Sequence, residues 1–338
     1  MNVLSKVTSL AAASAMVLSL AACGGGSAST TPTPSTAPDT TTPAEGTATY
    51  TVGICQQMTH DALDAATQGF KDALNELLPN QVEFIEQDAG GEYTNCGTIM
   101  DGFVSQGVDL ILANATYPLQ AAASATADIP ILGTSVTDYA TALSIDNWTG
   151  TVGGNISGTS DLAPLDQQAD MLNELFPDAT NVGLLYCSGE PNSVYQVETI
   201  QGYLEDMGYT CEQYAFTDVN DLSSVAQTAC DNSDVIYIPT DNTAAANTET
   251  IANVVIPAGV PVIAGESGIC SGCGVATLSI SYYDIGYTTG EMAAKVLTGE
   301  ADISTMPVEY APNVTKMYNA ANCEALGLTM PEDYEPIA

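Results

Sequence analysis

The sequence predicts an α/β protein built from two similar lobes, each a doubly wound parallel sheet. In residues 50–71 an apolar strand is followed by a polar turn and by a helix with apolar residues at helical spacing. Residues 181–206 repeat this unit, with Val182-Gly183 in the place of Val52-Gly53. One strand-turn-helix unit therefore occurs twice in the chain.

The repeat continues in register through each half. Residues 108–123 align with residues 233–248, so that Thr116 stands opposite Asp241, and the later segment IPILGTS aligns with VPVIAGE. Each half therefore runs strand, helix, strand, helix, strand. Such alternation is typical of a parallel sheet with helices on both faces.

The first 49 residues predict an export signal followed by a tether. Lys6 is the only charge before a weakly apolar run that ends in Leu-Ala-Ala-Cys, which is typical of a signal peptide at residues 1–22 and is short for a membrane span. The position of Cys23 resembles the bacterial lipobox and implies a lipidated mature N-terminus; a plain signal or anchor helix with an incidental cysteine is the alternative. Residues 23–49 lack large apolar side chains and predict a flexible Ser/Thr/Pro-rich tether.

The charge balance excludes nucleic acid as a partner. Four lysines, no arginine and 41 acidic residues give a formal net charge of −37, whereas phosphate backbones are bound by clusters of Lys and Arg. The excess of acidic residues would keep an exported domain soluble. The alternative is that it attracts cationic solutes.

Cysteine usage predicts disulfides in the exported part of the chain. Apart from Cys23, the sequence has eight cysteines, an even number that is typical of disulfide-bonded extracellular proteins. We expect each bond to join a strand region to a neighbouring segment of the same lobe. Cys270 and Cys273 form a single CxxC motif. A structural disulfide between them is favoured over a redox-active pair or over half of a metal-binding site. The expected pairs are Cys55 with Cys96, Cys211 with Cys230, and Cys270 with Cys273.

Catalytic motifs are not found, so we expect a binding protein rather than an enzyme, with no cofactor or bound metal. His60 is the only histidine, which excludes a histidine-based metal cluster, and a polar residue at a helix start is favoured over a catalytic role. The GxSxG, P-loop and HExxH patterns do not occur.

Polar loops follow the predicted strands at their carboxyl ends, where open parallel sheets bind ligands against helix N-termini. Their hydroxyls suit a carboxylate and their acids suit an ammonium group, so together they suit a zwitterion; Asp241 is the acid expected to hold the ammonium. Ordinary helix N-caps are the alternative for each residue, Asp241 included. The loops are residues 57–61, 115–117 with Thr116, 135–138, 187–193, 240–243 and 265–267.

Four segments resemble ABC-transporter substrate-binding proteins of the tryptophan/tyrosine-binding type: VGGNISGTSD, EPNSVYQVE, PTDNTAAA and SYYDIGYTTGEMAAKVLTGE. The resemblance covers nearly all of residues 50–332. It implies a type I periplasmic-binding fold with two lobes joined by three crossovers. The first lobe would comprise residues 50–158 and 284–305, and the second residues 159–283 and 306–338.

The resemblance also implies the cleft residues. Two departures alter the expected pocket shape, because Tyr117 replaces a usual threonine and Tyr139 a usual proline. The candidate ligand-binding residues are Thr137, Asp138, Glu190, Asn192, Ser193, Asp241, Asn242 and Asp284, to which the polar loops add Thr116.

The function implied by the resemblance is amino-acid capture for an ABC importer. The ligand would be aromatic, and hinge closure would precede delivery to a permease and its ATPase. We expect a monomer that contacts the outer face of the cytoplasmic membrane through its lipid anchor only. A sensor of the same fold, acting on a membrane receptor, is the alternative.

Overall fold

Residues 50–337 are described by a computed structural model. The predictions for the signal peptide, for lipidation of Cys23 and for the tether lie outside the described residues. Between residues 50 and 337, no helix combines the length and the hydropathy needed to cross a membrane.

The strands are short and mostly buried. They are β1 (Tyr50–Gln56), β2 (Val82–Asp88), β3 (Leu110–Asn114), β4 (Ile131–Val136), β5 (Ile156–Ser160), β6 (Asn181–Cys187), β7 (Thr210–Phe216), β8 (Val235–Ile238), β9 (Val262–Ala264), β10 (Ala276–Ser279), β11 (Glu309–Tyr310), β12 (Thr315–Tyr318) and β13 (Glu335–Pro336).

Helices follow almost every strand. They are α1 (Asp61–Leu77), α2 (Tyr93–Gln106), α3 (Thr116–Ala125), α4 (Tyr139–Leu143), α5 (Leu165–Leu175), α6 (Pro191–Asp206), α7 (Val219–Asn232), α8 (Asn242–Ala245), α9 (Thr248–Ala258), α10 (Ser267–Gly272), α11 (Tyr282–Leu297) and α12 (Ala320–Leu326), with a 3-10 turn at Ile303–Thr305.

The two sheets repeat one strand order. The first runs β2-β1-β3-β4-β5 and the second β7-β6-β8-β9-β10, with β11 added beyond β5 and with β12 and β13 added beyond β10. The pairings are parallel except that β12 is antiparallel to β10. The predicted fold class is thus confirmed, and in each lobe the carboxyl ends of the parallel strands meet at one edge of the sheet.

Three connections cross between the lobes: β5 to α5, β10 to α11, and β11 to β12. The boundaries differ from the expected ones by a few residues. The first sheet extends to Ser160 and α11 begins at Tyr282. Residues 309 and 310, expected in the second lobe, belong to the first sheet because they pair with Thr159 and Ser160.

Helices α1 and α11 pack unusually closely because glycines line their contact. A Cβ atom at Gly69 would overlap the carbonyl oxygen of Tyr283, and one at Gly286 would overlap that of Ala66. The equivalent glycine of the second repeat, Gly202 in α6, has open space around it. Both repeats therefore have a glycine at this position, but only the glycine of the first lobe lies in a close helix contact.

Gly69→Ala is expected to lower the free energy of unfolding by about 1–3 kcal/mol, because the added methyl group must push α1 and α11 apart. Gly202→Ala is the matched control and should leave stability unchanged or raise it by up to about 1 kcal/mol through helix propensity. Urea unfolding of both variants checks this. Equal effects of the two changes would show that the close helix contact does not matter for stability.

The eight described cysteines are free thiols, so the predicted disulfides are corrected. Cys230 packs in the core on one face of the second sheet and Cys211 against the core on the other face, so these two cannot pair. Cys273 donates its thiol hydrogen to the carbonyl oxygen of Ile269 at 3.4 Å rather than bonding to Cys270. Cys55 and Cys96 lie in the same core of the first lobe, and the neighbouring Cys96 thiol together with burial raises the pKa of Cys55.

Candidate ligand-binding site

A polar cavity lies between the lobes, at the carboxyl ends of the strands. Its volume is about 10 Å³, roughly enough for one water molecule, so the closed lobes leave no room for a larger ligand. The first lobe, the second lobe and two of the crossovers all contribute to its wall. The lining residues are His60, Leu63, Ser135, Thr137, Asp161, Asn192, Thr240, Asp241, Asn242, Ala245, Glu266 and Tyr282.

Hydrogen bonds across the cleft hold the lobes together. His60 Nε2 lies 3.2 Å from Asn242 Oδ1, and Gln196 Nε2 donates to Thr137 Oγ1 at 3.4 Å. At the mouth, the Tyr117 hydroxyl donates to the carbonyl oxygen of Gly189. The structure therefore shows the lobes in a closed arrangement.

Glu190 organises the second-lobe wall without lining the cavity itself. It is 2% exposed and accepts hydrogen bonds from the backbone N–H groups of Asn242 and Thr243 at 3.1 and 2.8 Å. It also accepts from Asn242 Nδ2 at 2.7 Å and Thr243 Oγ1 at 2.7 Å. Asn192 Nδ2 contributes a longer bond of 3.3 Å. One carboxylate thus fixes the start of α8 relative to the start of α6.

Asp241 already has backbone partners for both carboxylate oxygens. Oδ1 accepts from Ala244 N at 2.8 Å, which makes Asp241 the N-cap of α8, and Oδ2 accepts from Cys187 N at 2.7 Å. Burial, together with the nearby charge of Glu190, raises the pKa of Asp241 to about 7. These contacts favour the N-cap interpretation of Asp241 over the role of ammonium partner.

Glu266 is a second buried cap in the wall. Its two oxygens accept from the N–H groups of Gly268 and Ile269 at 2.5 Å each, at the start of α10. Burial raises the pKa of Glu266 to about 7, and these backbone hydrogen bonds oppose that rise. Glu266 therefore stabilises the helix start and presents a weakly acidic group to the cavity.

Asp161 is a buried carboxyl group with only part of its hydrogen-bonding capacity used. It lies between β5 and α5, is 5% exposed, and accepts from the Tyr282 hydroxyl at 2.9 Å through Oδ2. Its other oxygen has no partner within residues 50–337. Burial raises the pKa of Asp161, and the nearby hydroxyl groups of Tyr282 and Thr137 partly oppose this.

His60 is the basic residue of the cavity wall. Burial lowers its pKa, although the hydrogen bond with Asn242 and the charge of Glu190 oppose that shift. A neutral imidazole, rather than a cation, therefore contacts the second lobe. Within residues 50–337 no group of three or more His, Cys, Asp or Glu side chains is arranged to hold a metal ion.

Backbone strain is found at two strand ends beside the cleft. Ala115, after β3, has a φ of 98°, and Ser135, at the end of β4, has a φ of 55°. Positive φ values are unfavourable for residues other than glycine, and such strain occurs most often at binding sites. The strain thus lies at the edge of the first sheet where the cavity forms.

The structure brings together only part of the predicted ligand-binding set. Thr137, Asn192, Asp241 and Asn242 line the cavity. Glu190 and Ser193 are buried behind the wall, and Thr116 is buried at the start of α3 without lining it.

Two predicted residues point elsewhere. Asp138 caps α4 by accepting from Thr141 N at 2.6 Å. Asp284 is exposed on α11, because the first turn of that helix buries Tyr282 and Ile285 instead. Placing Asp284 in the cleft was therefore wrong, and Tyr282 is the residue that the same motif contributes.

Several lining residues were not among the predicted set. Ser135, Thr240, Glu266 and His60 lie in the loops that the sequence predicts at the carboxyl ends of strands. Asp161 is the last residue of the motif VGGNISGTSD and follows β5 directly. Its position where the chain crosses between the lobes is the feature of the sequence that could have identified it.

Comparisons with known proteins agree with this architecture. The family model described as ABC transporter substrate binding protein matches residues 51–336. A curated protein of Clostridioides difficile (strain R20291), described as a tyrosine-binding protein, is 31% identical over 280 residues, which is 82% of this chain and 81% of that protein.

Two solved structures are similar over most of the chain. The crystal structure of an ABC domain in complex with L-Trp from Streptococcus pneumonia is 29% identical, with a TM-score of 0.81, and covers 87% of this chain and 100% of that one. The ligand-free, open structure of a substrate binding protein with adhesive properties from Clostridium difficile is 33% identical, with a TM-score of 0.66, and covers 85% of this chain and 99% of that one. The type I periplasmic-binding fold and the family match together show that this chain belongs to the ABC transporter substrate binding proteins.

Proposed function

We propose that this protein is the extracytoplasmic component of an ABC importer and captures an aromatic amino acid by closing its lobes around it. The observation that carries the proposal is the enclosed cavity, whose wall is supplied by both lobes and whose polar groups suit a zwitterion. Two relatives, one described as a tyrosine-binding protein and one solved in complex with L-Trp, support an aromatic ligand.

Hinge closure is supported by the similarity to the two solved structures. Although the sequence identities are close, the L-Trp complex superposes better than the ligand-free, open structure, with TM-scores of 0.81 and 0.66. The hydrogen bonds across the cleft are what ligand-induced closure would form. Because the closed cavity has room for only about one water molecule, the lobes must part further to hold an amino acid.

We place the aromatic side chain of the ligand at the mouth of the cleft. There the rings of Tyr93 and Tyr117 contact edge to face, with centroids 5.4 Å apart. Aromatic groups favour such edge and offset contacts. The Tyr117 hydroxyl links to Gly189 of the second lobe, so a ring bound beside Tyr117 would stabilise the closed arrangement.

Delivery to a permease and its ATPase, and lipid anchoring through Cys23, complete the proposal. The anchor rests on the lipobox-like sequence around Cys23. Mass spectrometry of the N-terminal peptide of the membrane fraction tests it, since an unmodified Cys23 would contradict anchoring.

Thermal-shift measurements against the twenty amino acids test the ligand class. Tyrosine, tryptophan or phenylalanine should stabilise the protein by about 2.7 kcal/mol at a hundredfold excess over Kd, and small-angle scattering should show a smaller radius of gyration with ligand. Stabilisation by aliphatic or acidic amino acids alone would contradict the aromatic assignment. An unchanged radius at saturation would contradict hinge closure.

A further inference from the structure

Unpartnered polar atoms concentrate at the cavity. Within residues 50–337, five buried side-chain oxygen atoms have no hydrogen-bond partner: Asn114 Oδ1, Ser135 Oγ, Asp161 Oδ1, Asn192 Oδ1 and Thr277 Oγ1. Three of the five, on Ser135, Asp161 and Asn192, belong to residues that line the cavity. Buried polar groups in proteins are almost always paired, so this clustering marks where a ligand makes its polar contacts.

Two of these three atoms are acceptors: the Asn192 amide oxygen and, when the carboxyl is ionised, Asp161 Oδ1. The Asn192 amide is oriented by its nitrogen, because Nδ2 donates toward Glu190 Oε2, Ser193 Oγ and Thr240 O at 3.1–3.3 Å. Its oxygen therefore remains available as an acceptor. Asp161, when ionised, has no donor to offer either. The cavity thus requires a ligand with N–H or O–H donors.

Within residues 50–337, no lysine lies where it could serve as a counter-charge for Asp161. Lys71 pairs with Glu86, and Lys316 pairs with Glu174 and Asp333, on the outer surface. Lys295 is exposed on α11. The sequence has no arginine. A buried carboxylate without a cation is costly, so a positively charged ligand gains more from this site than a neutral one does.

We propose that recognition depends chiefly on a primary ammonium group of the ligand, which binds Asp161 Oδ1 and Asn192 Oδ1, and that the ligand carboxylate is secondary. This rests on the proposed function and names Asp161, rather than Asp241, as the counter-ion. Asp161 lies on a crossover and Asn192 begins α6 in the second lobe. The ammonium therefore joins the hinge to the second lobe.

Matched analogues test the proposal by isothermal calorimetry on the unmodified protein. Tyramine and tryptamine retain the amine and lack the carboxylate, whereas 3-(4-hydroxyphenyl)propionate and indole-3-propionate retain the carboxylate and lack the amine. The amines should bind within about tenfold of the corresponding amino acid, and the acids at least about 100-fold more weakly than the amines, as expected for loss of a charge-assisted contact.

Asp161→Asn should weaken tyramine binding about 10- to 100-fold, while the exposed Asp166→Asn on α5 should not change it. Because the asparagine oxygen can still accept from Tyr282, the variant should fold. The proposal would be overturned if the two acids bind as tightly as the amines, or if neither amine binds. Either result counts against it regardless of the affinity for tyrosine. Binding of the amines without tyrosine or tryptophan would support it and contradict the amino-acid assignment instead.

Discussion

Replacing Glu190 with alanine is expected to lower the free energy of unfolding by about 3–5 kcal/mol. The buried carboxylate satisfies two backbone N–H groups and the side chains of Asn242 and Thr243, and each donor left unpaired costs about 1–3 kcal/mol. Relief of the repulsion between Glu190 and Asp241 offsets part of this loss. Since Asn242 and Asn192 lose their orientation, ligand affinity should fall as well.

Urea unfolding and calorimetric titration check this prediction. Glu198→Ala provides the matched control, because Glu198 lies on the same helix, α6, with its side chain exposed. Surface substitutions of that kind usually change stability by less than about 0.5 kcal/mol. If Glu190→Ala and Glu198→Ala unfold at the same urea concentration, Glu190 does not organise the second-lobe wall.

The pH dependence of stability should depend strongly on Glu266. Its pKa is raised to about 7 by burial, compared with about 4.3 in an unfolded chain. Between these values the folded protein keeps a proton that the unfolded chain has released, so stability falls as the pH rises through this window. The contribution of Glu266 is complete below about pH 4 and is lost above about pH 7, an effect of about 4 kcal/mol.

Glu266→Gln should therefore lose much less stability between pH 5 and pH 8 than the unmodified protein does. Negative charges on Asp61 and Asp161 face Glu266 and act in the same direction. Asp241 has a similarly raised pKa, so part of the pH dependence should remain in the variant. Glu249→Gln, at an exposed position on α9, is the control. A pH dependence that is identical in all three proteins would contradict the assignment.

The fold could be predicted because its signals are local and repeated. The apolar run of β1 recurs in the second half as β6, and the helical spacing of Leu63, Ala66 and Phe70 predicts α1, in which all three side chains are buried. The same repeat yields the same strand order in both sheets. Neither signal depends on contacts between distant segments.

The site was harder to predict because its decisive contacts are distant in sequence. Asp161 and Tyr282 are 121 residues apart and meet only where two crossovers lie side by side. In the motif at the start of α11, Asp284 and Tyr282 are only two residues apart but lie on different faces of the helix, and only Tyr282 faces the interior. A ligand residue and an N-cap have the same side-chain types, so Asp241 could be assigned only from its hydrogen bonds.

The predicted disulfides show a similar limit. Cys211 and Cys230 lie in neighbouring elements of one lobe, which is all that spacing indicates. They pack on opposite faces of the second sheet, and residue spacing carries no information about the face on which a helix packs.

A crystal structure of the protein with bound tyrosine or tryptophan tests the central claim most directly. The account predicts that the amino acid lies in the cleft in contact with both lobes, with its amino nitrogen within about 3.2 Å of Asp161 Oδ1 and of Asn192 Oδ1. An amino nitrogen bound to Asp241 instead, or an amino acid bound outside the cleft, would contradict it.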